Sequence, residues 1–184
     1  MRNKITSLSE ITERLEQPRR ESRKVVHCHG VFDLLHIGHI RYLQVARQLG
    51  DVLVVTVTAD QFVNKGPHRP VFEERLRAEA LAALDCVDFV AIHRFPTAME
   101  ALRLLRPDIY VKGGEFRDQK TPELLREEAA AAALGIRVEF IDEFRSSSSY
   151  LINQYLSPFS EEADQYQHGN RQPHTPTQLL DRIT

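Results

Sequence analysis

Residues 52–57 read Val-Leu-Val-Val-Thr-Val, an apolar run without alternation between polar and apolar positions. A strand with one solvated face would alternate with period two, so this run fits a central strand of a parallel sheet covered on both faces. Its length suits a strand, since a buried helix needs about twice as many residues. Four more β-rich runs follow the same theme: Lys24 to His29, stopped by Gly30; Cys86 to Ile92; Ile109 to Val111, ending at Gly113 and Gly114; and Arg137 to Ile141. Helical patterns separate them. Ile40 to Leu49 precedes Gly50, Glu73 to Leu84 is rich in Ala, Leu, Glu and Arg, Ala98 to Leu105 is closed by Pro107, and Pro122 to Leu134 is stopped by Gly135. Strands and helices alternating in this way predict an α/β chain: a Rossmann-like, doubly wound, five-stranded parallel sheet with flanking helices.

The flanks differ in character. Leu8, Ile11 and Leu15 stand at helical spacing after Ser7 and Ser9, either of which can cap, so residues 1–23 are expected to hold one short amphipathic helix ending near Pro18. Residues 24–156 form the α/β domain. Residues 157–184 carry Pro158, Pro173 and Pro176 with little periodic apolar content, which predicts a mobile tail or linker. Lys and Arg number 24 against 26 Asp and Glu, a net charge of -2, so no global positive field exists to hold a nucleic-acid backbone. No apolar run reaches membrane-spanning length, and the first residues are charged where a signal peptide would be apolar. Cys28 and Cys86 sit in apolar runs without metal-ligand spacing. A cytoplasmic protein without membrane or nucleic-acid partners is the expectation.

Four short stretches carry chemistry. Gly30-Val-Phe-Asp-Leu-Leu-His-Ile-Gly-His39 lies between the first strand and its helix. Ligands of open parallel sheets bind beyond the carboxyl ends of the strands, where helix N-termini face anions. His36 and His39, two imidazoles at one helix start, can donate to a transferring phosphoryl group, and Gly38 leaves room for a phosphate or ring. Lys65 sits in the polar loop Asp60 to Pro70, where a mobile cation can neutralise charge on an α-phosphate. Lys112-Gly-Gly-Glu-Phe116 follows a strand, and the Ser146–Ser149 run precedes a last helical segment whose amides and hydroxyls suit phosphate.

The first stretch resembles the HxGH signature of the cytidylyltransferase-like nucleotidyltransferases, which join a nucleoside triphosphate to a phosphorylated alcohol or sugar. Class I aminoacyl-tRNA synthetases share the tetrapeptide His-Ile-Gly-His but also need a KMSKS-like lysine loop and an anticodon domain, and neither is seen in this sequence. Lys65-Gly-Pro-His-Arg-Pro-Val71 resembles the KGxxRPV loop of bacterial ADP-heptose synthase adenylyltransferases, Val111 to Phe116 resembles their VKGG(D/E)(aromatic) motif, and Ser147, Ser148 and Ser149 take the positions of an STT motif, with Arg145 in place of the usual glycine. The resemblance covers roughly residues 24 to 155.

The resemblance implies catalytic roles for His36, His39, Lys65 and Arg77, with Arg75 the weaker of the two arginines. It implies nucleotide contacts from Val31, Phe32, Asp33 and Gly38, and from the three serines. It implies a substrate or base pocket at Lys112, Gly113, Gly114, Glu115 and Phe116. Mg²⁺ would arrive with the triphosphate. The substrates implied are ATP and a sugar phosphate such as heptose 1-phosphate; cytidylyl transfer to glycerol 3-phosphate or another polyol phosphate, and a non-catalytic nucleotide-binding module, are the alternatives. A homodimer and a sugar kinase, fused or separate, are the expected partners.

Overall fold

The computed structural model describes residues 4–66, 68–118 and 120–142. Helices α1 (Leu8–Arg14) and α2 (Glu16–Arg20) lead into β1 (Val25–Gly30), α3 (Ile37–Gln48), β2 (Val52–Thr58), α4 (Glu74–Ala82) and β3 (Phe89–His93). The chain continues through α5 (Met99–Leu105), β4 (Ile109–Gly113), α6 (Glu115–Asp118), α7 (Pro122–Ala133) and β5 (Arg137–Ile141). All five strands are parallel, in the order β3-β2-β1-β4-β5. All seven residues of β2 are buried, as its unbroken apolar run predicts. The order reverses beside β1, and the crevice of a doubly wound sheet opens at such a reversal, beyond the carboxyl ends of β1 and β4.

Helices cover both faces of the sheet. On one, Leu43 and Ala46 of α3 and Ala78 and Leu81 of α4 pack on Val26, Cys28, Leu53, Val55 and Val111. On the other, Ile11, Leu15, Ala101 and Leu105 pack on Val25, Val52, Val54 and Ala91, and Leu102 and Ala131 meet Tyr110. This second face changes along the strands. Its amino ends are aliphatic, whereas its carboxyl ends carry buried His27, Thr56, Thr58 and His93. A polar layer inside the sheet costs stability unless its atoms are paired, and here it lies next to the crevice.

Several boundaries depart from the sequence expectation for local reasons. Ser7, not Ser9, caps α1 by accepting from the Glu10 amide. The helix breaks at Leu15 instead of ending near Pro18, because proline is tolerated in the first turn of α2, where its missing N–H has no partner to lose. β3 starts at Phe89, not Cys86. Asp88 pairs with the β2 backbone, its amide donating to Leu53 O and its carboxylate accepting from the Leu53 amide, so Cys86 and Val87 stay in the turn. α3 starts three residues before the apolar repeat because His36 caps it. Both cysteines are free, and burial pushes the Cys28 thiol up to about 12. Among the described residues no helix is long and apolar enough to cross a membrane.

Candidate active site

The turn from β1 into α3 is built around two buried charges. Asp33 accepts from the Val71 amide at 2.6 Å and from the Arg69 guanidinium, which docks the 65–71 loop onto the turn and carries Lys65 with it. Arg77, fully buried on α4, donates to Phe72 O at 2.9 Å, to Thr58 O at 2.8 Å, to Asp60 at 2.6 Å and to Val31 O. The last bond fixes the Val31–Phe32 peptide, whose N–H points opposite to its carbonyl. Phe32 is thereby held at φ +48°, a left-handed conformation that costs a bulky residue about 1–2 kcal/mol.

Two imidazoles stand at the start of α3. His36 Nδ1 accepts from the Gly38 amide at 3.1 Å, so a neutral His36 carries its proton on Nε2. That nitrogen is buried without a partner, as is Nδ1 of His39. The rings stack with centroids 3.9 Å apart, and Phe32 meets the edge of His39 at 5.3 Å. Burial lowers the pKa of His36; burial, then His36 and Lys65, push His39 down to about 4, with a hydrogen bond to the Leu34 backbone opposing. Lys65 is lowered too, by burial first and then by Arg69, with Asp33 opposing. The Nε2–H donor of His36, the neutral His39 ring stacked on it and a partly desolvated lysine together suit an anion such as a phosphate group.

A cleft of about 340 Å³ joins these groups to the end of β4. Of the residues singled out in the sequence, Val31, Phe32, His36, Gly38, His39, Lys65, Lys112, Gly113, Glu115 and Phe116 line it. Asp33 lies behind its wall. Arg77 does not line the cleft: its guanidinium faces four protein acceptors behind the β1–α3 turn. Exposed Arg75 pairs with Glu79 and does not line it either. Gly113 and Gly114 give room to the protein itself, since a Cβ would run into Glu115 at the first and Asp142 at the second. Ser147, Ser148 and Ser149 lie outside the described residues.

The cleft also holds residues that sequence reasoning missed, among them His29, Tyr42, Thr58 and Glu127. Glu127 is buried on α7, accepting from the Ala98 amide and the Tyr110 hydroxyl at 2.8 Å each and from Lys112 at 3.3 Å. Lys112 in turn lies 4.9 Å over the Phe116 ring. A signal for Glu127 did exist: Leu124, Glu127 and Ala131 share one helical face, and the other two are core residues. Volume alone does not choose the site. A larger groove of about 760 Å³ lies at the amino ends of the strands, but its lining mixes Lys4, Arg14 and Arg23 with Glu21, Asp85 and Asp88, and ligands of such sheets bind at the opposite ends.

The buried imidazoles make stability depend on pH. Burial first, then His93 and Lys112, push His27 down to about 3. The unfolded chain takes up this proton near pH 6.5, so between pH 6.5 and about 3 the unfolded state binds more protons and gains on the folded one. We expect the unfolding free energy to be level above pH 7 and to fall on acidification by about 1.4 kcal/mol per pH unit for His27 alone, taking the urea midpoint down with it. Equal midpoints at pH 5 and pH 7.5 would contradict this.

A Rossmann-like sheet that brings two imidazoles from the start of α3 and a lysine from the loop after β2 to one cleft is an arrangement suited to nucleotidyl transfer. The chain belongs to the cytidylyltransferase-like family, whose model matches residues 27–154. It is 44% identical over 142 residues to the bifunctional protein HldE of Syntrophotalea carbinolica, covering 76% of this chain and 28% of that protein. To the bifunctional protein HldE of Trichlorobacter lovleyi it is 38% identical over 165 residues, covering 87% and 32%. The chain thus spans about a third of the length of these curated relatives. Among solved structures, a lipopolysaccharide core biosynthesis protein from Thermoplasma volcanium superposes with a TM-score of 0.55 at 32% identity, over 68% of this chain and 99% of that one. A pantoate-beta-alanine ligase from Francisella tularensis reaches 0.59 at 14% identity, over 97% and 84%, a likeness of fold alone.

Proposed function

We propose that this protein transfers the adenylyl group of ATP to a sugar 1-phosphate such as heptose 1-phosphate, giving a nucleotide-activated sugar and pyrophosphate. The observation that carries the reading is the stacked pair His36 and His39, whose Nε2 and Nδ1 respectively are buried without a partner, lining the same cleft as Lys65. The KGxxRPV and VKGG stretches and the likeness to HldE proteins favour ATP and a sugar phosphate over CTP and a polyol phosphate.

In this reading an oxygen of the sugar phosphate attacks the α-phosphorus in line. The new P–O bond forms as the bond to the β-phosphate bridging oxygen breaks, and pyrophosphate leaves with that electron pair. The attacking oxygen is already ionised at neutral pH, so no general base is needed. His36 and His39 donate to the phosphates, Lys65 neutralises charge on the transferring group, and the Mg²⁺ that accompanies ATP belongs to the substrate. A sugar kinase, fused or separate, would supply the acceptor.

The reading is tested by pyrophosphate release from ATP, CTP, GTP and UTP, each with heptose 1-phosphate, other sugar 1-phosphates and glycerol 3-phosphate. Release with ATP and a sugar 1-phosphate is expected. Release only with CTP and glycerol 3-phosphate would overturn the substrate assignment, and nucleotide binding without release on any acceptor would overturn the activity.

A further inference from the structure

The polar layer at the carboxyl ends of β1 and β2 reaches the cleft at His29 and Thr58. Thr56 Oγ1 lies 2.8 Å from both His27 Nε2 and His29 Nδ1. His27 is fully buried and its Nδ1 has no partner, and a buried orphan N–H is much rarer than a buried bare acceptor. His27 therefore keeps its proton on Nε2 and donates to Thr56, whose hydroxyl also holds His29 Nδ1, with a further hydrogen bond between His29 and the Thr56 backbone. This fixes the His29 ring at the strand end with Nε2 3.4 Å from Thr58 Oγ1, beyond the usual N–H···O range.

The surroundings of this nitrogen differ from those of His36 and His39. The Lys112 ammonium, which lines the same cleft, is tied to the Glu127 carboxylate, and the His93 ring meets His29 edge-on at 5.2 Å. Burial, with Lys112 and the neighbouring imidazoles, holds the His29 pKa well below its usual value, so the ring is neutral at physiological pH. A neutral imidazole nitrogen beside a threonine hydroxyl matches a hydroxyl oxygen, which can both accept and donate, whereas an anion is better served by the start of α3 and Lys65.

We infer that His29, assisted by Thr58, is a specificity-determining residue that hydrogen-bonds a ring hydroxyl of the acceptor sugar. The inference rests on the sugar-phosphate reading above. It also separates the cleft into a phosphate half, built on the β1–α3 turn and the 65–71 loop, and a hydroxyl half, built on the strand ends.

The test is calorimetric binding to the full chain of heptose 1-phosphate, Mg–ATP and inorganic phosphate, each measured separately, in the wild type, His29→Phe and Thr58→Val. Thr58→Val is near-isosteric and serves if the phenylalanine variant fails to fold. Each variant is expected to weaken heptose 1-phosphate about tenfold while leaving Mg–ATP and inorganic phosphate within about twofold. Among deoxy analogues of the acceptor, one should lose about tenfold on the wild type and nothing further on His29→Phe. Unchanged heptose 1-phosphate binding in both variants would overturn the inference, as would a loss that falls on Mg–ATP, which would place the ribose there, or on inorganic phosphate. A wild type that binds no sugar phosphate would instead bring down the reading on which the inference stands.

Discussion

Replacing Arg77 with methionine is expected to destabilise the protein by about 3–5 kcal/mol, the cost of breaking a buried charged network by removing one partner. Methionine fills a similar space, but Val31 O, Thr58 O, Phe72 O and the Asp60 carboxylate lose their donor. A lysine would not restore stability, because one ammonium cannot reproduce a planar fork that meets four acceptors. The loss is read from urea unfolding with an unchanged slope. Folded protein under stabilising conditions should also show reduced turnover, since the Val31–Phe32 turn relaxes. A variant with native stability and lost turnover would restore Arg77 to the role that family resemblance implies, direct contact with phosphate.

The second large effect has the opposite balance. His36→Ala and His39→Ala are each expected to lower kcat by about 10²–10³, the usual consequence of removing one preorganised donor to developing charge. Stability should fall by no more than about 2 kcal/mol for His36→Ala, which removes the cap of α3, and by less for His39→Ala, whose Nδ1 is buried without a partner. Thermal unfolding and steady-state kinetics on the same preparations separate the two quantities. Near-native kcat in both variants would remove the imidazoles from the mechanism, and a large loss of stability would mean that they serve packing.

The two substitutions also show what could be read from sequence and what could not. The sheet was legible because the strands are short β-rich runs alternating with helical ones and β2 lacks alternation, as a strand covered on both faces does. The β1–α3 turn was legible because its residues are consecutive. Arg77 and Glu127 were harder, because each meets its partners only after folding brings distant segments together. Both nevertheless carry the same local mark. Arg77 stands on one helical stripe with Ala78 and Leu81, and Glu127 with Leu124 and Ala131. A charged residue on the apolar stripe of a helix is placed for burial and must find partners there. His29 and Thr58 were missed for another reason: alternation assigns them to the face opposite Cys28 and Val57, but it cannot tell that this face turns polar where the strands end.

The central claim is that chemistry in this cleft occurs at the α-phosphorus and depends on the two histidines. ATP labelled at the α-phosphorus and, in a parallel reaction, at the γ-phosphorus, incubated with Mg²⁺ and heptose 1-phosphate, tests it directly. The account predicts α-label in the nucleotide sugar, γ-label in pyrophosphate, and neither product from the His36→Ala/His39→Ala double variant. Transfer of γ-label to the sugar, or wild-type transfer of α-label by the double variant, would contradict it.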